Sequence, residues 1–167
     1  MSDSENILKR RRFLRGKFAS THTPIRPPWA YDEAVFIERC SRCNACIDHC
    51  ETGILFKGDG GFPEVDFARG ECTFCQACVS HCQPGALSLS IASPWNLVAW
   101  INESCLAQNG VICMTCREQC PEQAIEIQPR LGSAALPVID SERCNGCGAC
   151  FAPCPTQSIQ ISEAKVL

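Results

Sequence analysis

The chain has little with which to build an ordinary core and nothing with which to cross a bilayer as a helix. Aromatic residues make up only 7% of its 167 residues, with one tyrosine, three tryptophans and two methionines. The hydrophobic fraction of 46% counts cysteine; without cysteine it falls to about 37%, lean for one ordinary domain or two very small ones. The longest apolar run, Leu97 to Ile101, falls far short of the roughly 20 residues of a membrane helix. Membrane insertion is excluded. Dinucleotide, P-loop, nucleophile-elbow and His-Glu zinc signatures are missing too, so no catalytic residue is nominated. A chain this poor in apolar residues needs cross-links or metal to hold it.

What it has instead is cysteine, sixteen residues in all. Disulfides, zinc and iron–sulfur clusters are the three readings of such a count. Disulfides call for an oxidising compartment. Residues Met1–Trp29 are basic enough to open an export signal, and Lys9-Arg10-Arg11-Arg12-Phe13-Leu14-Arg15 imitates a twin-arginine motif. The stretch that follows, Gly16 to Pro24, is polar and broken by proline where an apolar segment is required. The expected location is therefore the cytoplasm, where thiols stay reduced. Charge is divided: the first 30 residues carry seven bases against two acids, and the rest eight bases against sixteen acids. A basic arm on an acidic body suits a solvated tail or a dock for an acidic protein surface. It does not suit nucleic acid, which the body would repel.

The cysteines fall into four groups: Cys40, Cys43, Cys46 and Cys50; Cys72, Cys75, Cys78 and Cys82; Cys105, Cys113, Cys116 and Cys120; Cys144, Cys147, Cys150 and Cys154. Three groups read C-x2-C-x2-C-x3-C, and the third has seven residues, Leu106 to Ile112, after its first cysteine. No cysteine lies outside the groups. Between groups one and two, Ile54-Leu55-Phe56 and Phe62 to Asp66 flank Gly58-Asp59-Gly60-Gly61, which predicts a β-hairpin. Between groups three and four, Ile125-Glu126-Ile127 and Leu136 to Asp140 flank Leu131-Gly132-Ser133 and predict another. The unit of cysteine group, hairpin, cysteine group thus occurs twice. Ala86 to Ile91 alternates as a strand should, and Ser93-Pro94 ends it.

Cysteines three apart, and three apart again, let one loop wrap three corners of an iron–sulfur cube while its N–H groups face the sulfides. The fourth cysteine, expected on the first turn of a following short helix, points to the neighbouring cube, the crossover of two-cluster ferredoxins. The expected sets are Cys40, Cys43, Cys46 with Cys82, and Cys72, Cys75, Cys78 with Cys50. In the second unit they are Cys105, Cys113, Cys116 with Cys154, and Cys144, Cys147, Cys150 with Cys120. A nested pairing, first group with fourth and second with third, is the alternative. The insert either loops out and leaves Cys105 a ligand or draws it away, giving four clusters or three; four are expected.

Ala45, Ala77, Gly146, Gly148 and Ala149 are small where a cube would crowd the chain. Pro121 and Pro155 follow the fourth cysteine of their groups, whereas Glu51 replaces that proline and Pro84 delays it. Zinc sites space their cysteine pairs differently, and structural disulfides do not favour C-x2-C. His49 and His81 would be surplus as ligands and are expected to be structural or solvent-facing; Glu38 and Glu142 read as surface charge. Electron transfer or redox sensing is the function this pattern supports.

Ile25-Arg26-Pro27-Pro28-Trp29, the motif Cys40-Ser41-Arg42-Cys43-Asn44-Ala45-Cys46, the long-spaced third group and Cys144-Asn145-Gly146-Cys147-Gly148-Ala149-Cys150 together resemble the NapF family. These are ferredoxin-type accessory proteins of the periplasmic nitrate reductase system. The resemblance spans nearly the whole chain, the arginine-rich arm included. It implies a cytoplasmic iron–sulfur protein that binds the catalytic molybdenum subunit before export and assists its maturation, by cluster supply or electron transfer, with the arm taking part in docking. The alternative is a general electron carrier or a subunit of a membrane-linked oxidoreductase. The expected fold is α+β: a basic, largely irregular arm over residues 1–34, then two ferredoxin-like 2[4Fe–4S] modules at 35–92 and 93–167, built of short hairpins and helices.

Overall fold

The computed structural model describes residues 23–164. The basic run Lys9 to Arg15 lies outside them. Among the described residues, four short α-helices and six strands make up most of the regular structure. Helix α1, Glu33–Arg39, is started by Asp32, whose side chain accepts from the Val35 N–H at 3.2 Å. Its Phe36 is 1% exposed and anchors the helix to the core. Helices α2 (Ala45–Asp48), α3 (Ala77–Ser80) and α4 (Thr115–Glu118) are single turns, far too short to persist without tertiary support.

The strands pair as three antiparallel two-stranded ribbons. Strand β1 (Leu55–Lys57) meets β2 (Pro63–Val65) in the register Leu55 to Val65, across a turn of 3-10 helix at Asp59–Gly61. Strand β4 (Ile125–Gln128) meets β5 (Leu136–Ile139), with Ile125 opposite Ile139. These are the two hairpins read from the sequence. The third ribbon is long-range: β3 (Leu97–Ile101) pairs with β6 (Ile159–Glu163), Leu97 opposite Glu163. Each hairpin is preceded by the same turn, in which the residue three past a fourth cysteine donates to that cysteine's carbonyl and takes a positive φ. Gly53 (φ 67°) does so after Cys50, and Gln123 (φ 50°) does so after Cys120.

The expected strand at 86–91 is not formed. Only Leu87 makes a bridge, to Ala30, while Ser88 Oγ accepts from the Ser90 N–H at 3.2 Å and bends the chain into a turn. A serine hydroxyl that satisfies a nearby N–H competes with a β-ladder. Helix placement also differs: the third cysteine of each of the first three groups lies on a helix, and the fourth lies just past its end.

Two apolar clusters form the interior. One gathers Trp29, Phe36, Ile54, Leu55, Phe67 and Leu87 with cysteines of the first two groups; the other gathers Ala99, Ile125 and Ile159 with cysteines of the last two. The segment Ile25–Ala30 is part of the first. The Val65 N–H donates to Ile25 O at 2.9 Å, Pro27 is fully buried and the Ser88 N–H donates to Trp29 O at 2.9 Å.

Arg26 fixes this segment. It grips Glu33 with two hydrogen bonds of 2.9 and 2.7 Å, donates to Pro63 O, and stands 3.6 Å from Glu64, whose side chain is 8% exposed. Removing the guanidinium leaves a buried carboxylate short of a partner. Arg26→Ala is expected to cost the holoprotein about 2 kcal/mol, read as a lower denaturation midpoint at unchanged slope. A midpoint within error of the parent contradicts the assignment.

Candidate metal centre

The structure brings the sixteen cysteines to the walls of four cavities. The first is lined by Cys40, Cys43 and Cys46 with Cys82, and the second by Cys72, Cys75 and Cys78 with Cys50. The third is lined by Cys105, Cys113 and Cys116 with Cys154, and the fourth by Cys144, Cys147 and Cys150 with Cys120. Each cavity takes three cysteines from one group and the last from the neighbouring group of the same module. The four cavities are alike in size and in their sulfur lining, as four equivalent guests require.

Local sequence explains how each group wraps its cavity. In the first group Arg42 and Asn44 take positive φ (58° and 65°), and in the second Phe74 and Gln76 do the same (53° and 64°). Alternation of left-handed with ordinary backbone curls successive N–H groups inward, the arrangement that cradles anions. The one-turn helix that follows carries the third cysteine inward and delivers the fourth past its end to the adjacent cavity.

In the third group the insert loops out. The Asn109 N–H donates to Cys105 O, the Asn109 side chain donates to Glu103 O and Cys105 O at 2.9 Å each, and Val111 N–H closes on Leu106 O. Ala107 is fully buried beneath the turn, and Cys105 stays 7% exposed. The outer side of the loop presents Ile112 to solvent.

Burial and mutual repulsion set the electrostatics. Burial pushes the Cys46, Cys78 and Cys150 thiols up to about 12, with neighbouring sulfurs adding to it: Cys40 for Cys46, Cys72 and then Cys46 for Cys78, Cys147 for Cys150. Burial likewise raises Cys116 to about 11. Two crossover cysteines behave oppositely. Burial raises Cys50, but the Thr52 hydroxyl and the N–H groups of Leu55, Ile54 and Gly53 outweigh it, and its thiol is lowered. Burial of Cys154 is likewise outweighed, by the Ser158 side chain and N–H and by Thr156. Four sulfurs packed in an apolar pocket do not ionise together in the absence of positive charge, whereas an iron cluster holds them as thiolates.

Among the described residues, no three His, Cys, Asp or Glu side chains close on a point as a lone ion requires. Four sulfurs instead line each cavity, the number of ligands that a 4Fe-4S cube takes. Backbone donors already face them: Phe74 N–H to Cys72 Sγ at 3.4 Å, Ala124 N–H to Cys120 Sγ at 3.3 Å and Ser158 N–H to Cys154 Sγ at 3.3 Å.

His49 and His81 stack with ring centroids 3.6 Å apart, each Nδ1 2.9 Å from the carbonyl four residues back, at Ala45 and Ala77. They tie α2 to α3. The hydroxyls near sulfur were missed in the sequence. Thr52, Thr115 and Thr156 each stand two residues after a cysteine, with Oγ1 3.6 to 3.9 Å from its sulfur, and that recurring C-x-T was the available signal.

Residues 39–86 and 111–158 each match the model of the 4Fe-4S dicluster domain, so the chain takes four 4Fe-4S clusters. The chain is 44% identical to the ferredoxin-type protein NapF of Haemophilus influenzae over 168 residues, covering 95% of this chain and 96% of that one. It is 42% identical to NapF of Escherichia coli K12 over 150 residues (90% and 92%). Against the methylamine utilization ferredoxin-type protein MauM of Methylobacillus flagellatus it is 34% identical, over 92% of this chain and 71% of the relative. With two dicluster domains and near-complete alignment, the chain belongs to the NapF family of ferredoxin-type iron–sulfur proteins.

Proposed function

We propose that the chain is a cytoplasmic polyferredoxin that assists maturation of the catalytic molybdenum subunit of periplasmic nitrate reductase before its export. Its basic arm, residues 1–34, serves in docking through the part ahead of the core-packed segment Ile25–Ala30, and its modules, 35–92 and 93–167, hold two clusters each. The three-plus-one division of cysteines around four cavities of similar size carries the cluster reading. The sites are Cys40, Cys43, Cys46 and Cys82; Cys72, Cys75, Cys78 and Cys50; Cys105, Cys113, Cys116 and Cys154; Cys144, Cys147, Cys150 and Cys120. Cys105 precedes the second matched stretch, and its burial beside Cys113 and Cys116 supports its inclusion. When bound, a cluster supplies a one-electron store. The chain contributes thiolates, inward N–H groups and a small, largely apolar shell, which together set the potential.

Asn44 is one such contribution. Its side-chain oxygen is buried without a hydrogen-bond partner, at the wall of the first cavity. Oxygen and nitrogen of an amide exchange places by a half-turn, and the reverse setting offers an N–H to the cavity. Hydrogen bonds to sulfur favour the reduced, more negative state. Asn44→Ala is therefore expected to lower the potential of the first site by on the order of 40 mV, corresponding to about 1 kcal/mol. An unchanged potential in a redox titration followed by electron paramagnetic resonance would contradict this.

The maturation reading is tested by capture of the unexported reductase subunit. Deleting residues 1–22 keeps Ile25–Trp29 in the core while removing most of the arm's positive charge. Loss of capture, with clusters retained, is expected. Undiminished capture together with rapid reduction by a generic donor identifies a carrier instead.

A further inference from the structure

We infer that the contact between the second and fourth cysteine groups joins the two modules into one continuous line of redox sites, in the order first, second, fourth, third. The inference rests on the ligand sets assigned above and adds their order and connection.

Within the first module, stacked His49 and His81 clamp α2, which carries Cys46, to α3, which carries Cys78. Within the second, Cys116 and Cys150 share one apolar cluster with Ile125 and Ile159. The junction is the new element. The Cys72 N–H donates to Cys147 O at 2.8 Å, a direct bond between the loops of two different modules. Around it Trp95 Nε1 donates to Asn145 O at 2.8 Å. A string of aromatic rings fills the gap: Phe74 to Trp95 at 5.5 Å, Trp95 to Phe67 at 5.9 Å, and Phe67 to Phe151 at 6.4 Å.

The fourth group's loop is shaped for this approach. A Cβ on Gly148 (φ 88°) would collide with the Phe67 ring of the first module, while within the second module one on Gly146 (φ 69°) would stand 2.6 Å from Leu97 O. A solvent-filled linker between independent modules needs none of these contacts. Seating one ligand loop on another, with aromatic rings packed around the contact, places the two sites as neighbours, as they are within each module. One electron enters at an end from a one-electron donor, such as a reduced flavin or iron–sulfur protein, which is oxidised by one. It leaves at the other end to a one-electron acceptor, reduced by one, with no proton moved and the chain returned to its starting state.

The test is electron paramagnetic resonance of fully reduced holoprotein lacking one site at a time, each preparation checked for about 12 irons. In Cys75→Ala the second site is gone, the first is isolated, and one narrow uncoupled signal is expected. In Cys43→Ala the first site is gone, and the remaining three form an unbroken line. Every signal is then expected to be broadened by a neighbour, with no narrow component. A narrow signal in Cys43→Ala, from a second site with no partner, overturns the inference. Should either variant lose further iron, iron-edge anomalous scattering from crystals of the unaltered holoprotein decides. The second and fourth centres adjacent supports the line, and any other pair bridging the modules refutes it. Fewer than four iron centres would instead refute the ligand assignment.

Discussion

Anaerobic removal of iron is expected to abolish the fold of residues 23–164, not merely to bleach the protein. Half of the buried apolar residues described are cysteine or alanine, so the interior left without clusters is four apolar cavities with thin walls. The helices α2, α3 and α4 have four residues each, and the β1–β2 ribbon has three per strand. Neither class of element is stable alone in water. Folding free energy in such a chain is metal-binding free energy. On chelation, the near-ultraviolet circular dichroism of Trp29 and Trp95 should collapse, the hydrodynamic radius should grow toward that of an unfolded chain, and cooperative unfolding should disappear. A colourless protein that keeps its near-ultraviolet signal and a sharp transition would show that the polypeptide folds without its cargo.

Loss of a crossover cysteine should destroy the distant site and spare the local one. Cys82 follows Cys72, Cys75 and Cys78 in sequence but lines the cavity of Cys40, Cys43 and Cys46. Cys82→Ala is therefore expected to reduce iron from about 16 to about 12 per chain and to expose Cys40, Cys43 and Cys46 to alkylation. Cys72, Cys75 and Cys78, still held with Cys50, should stay protected. Cys50→Ala should give the mirror result. Mass-spectrometric mapping of the labelled thiols separates the alternatives. Labelling of Cys72, Cys75 and Cys78 in Cys82→Ala would mean that each group closes its own site.

What was legible in the sequence was what covalent spacing and local turns dictate. Three-residue steps between cysteines leave few ways to wrap a cube, and Gly58 to Gly61 between two apolar triplets can do little but turn. The family, the four clusters and both hairpins followed. What was not legible depended on residues far apart in the chain. The apolar run Leu97–Ile101 carries no sign that its partner is Ile159–Glu163.

Ala86 to Ile91 has the alternation of a strand, yet a Ser88–Ser90 contact and the approach of Trp29 decide otherwise. Gly146 and Gly148 read as room for a cube. The structure shows that a side chain at Gly146 would instead meet Leu97 of the same module, and one at Gly148 would meet Phe67 across the junction between modules. Pro27 and Trp29, counted with a basic arm by their charge context, prove to be core residues because Arg26 finds its partners at Glu33 and Glu64.

These sulfurs grip inorganic cubes around which the chain folds, and counting iron, acid-labile sulfide and zinc in protein purified without oxygen puts that to the test. About 16 irons and about 16 sulfides per folded chain are expected, with zinc negligible. Folded protein carrying a few zinc ions, or disulfides and no metal, would contradict it.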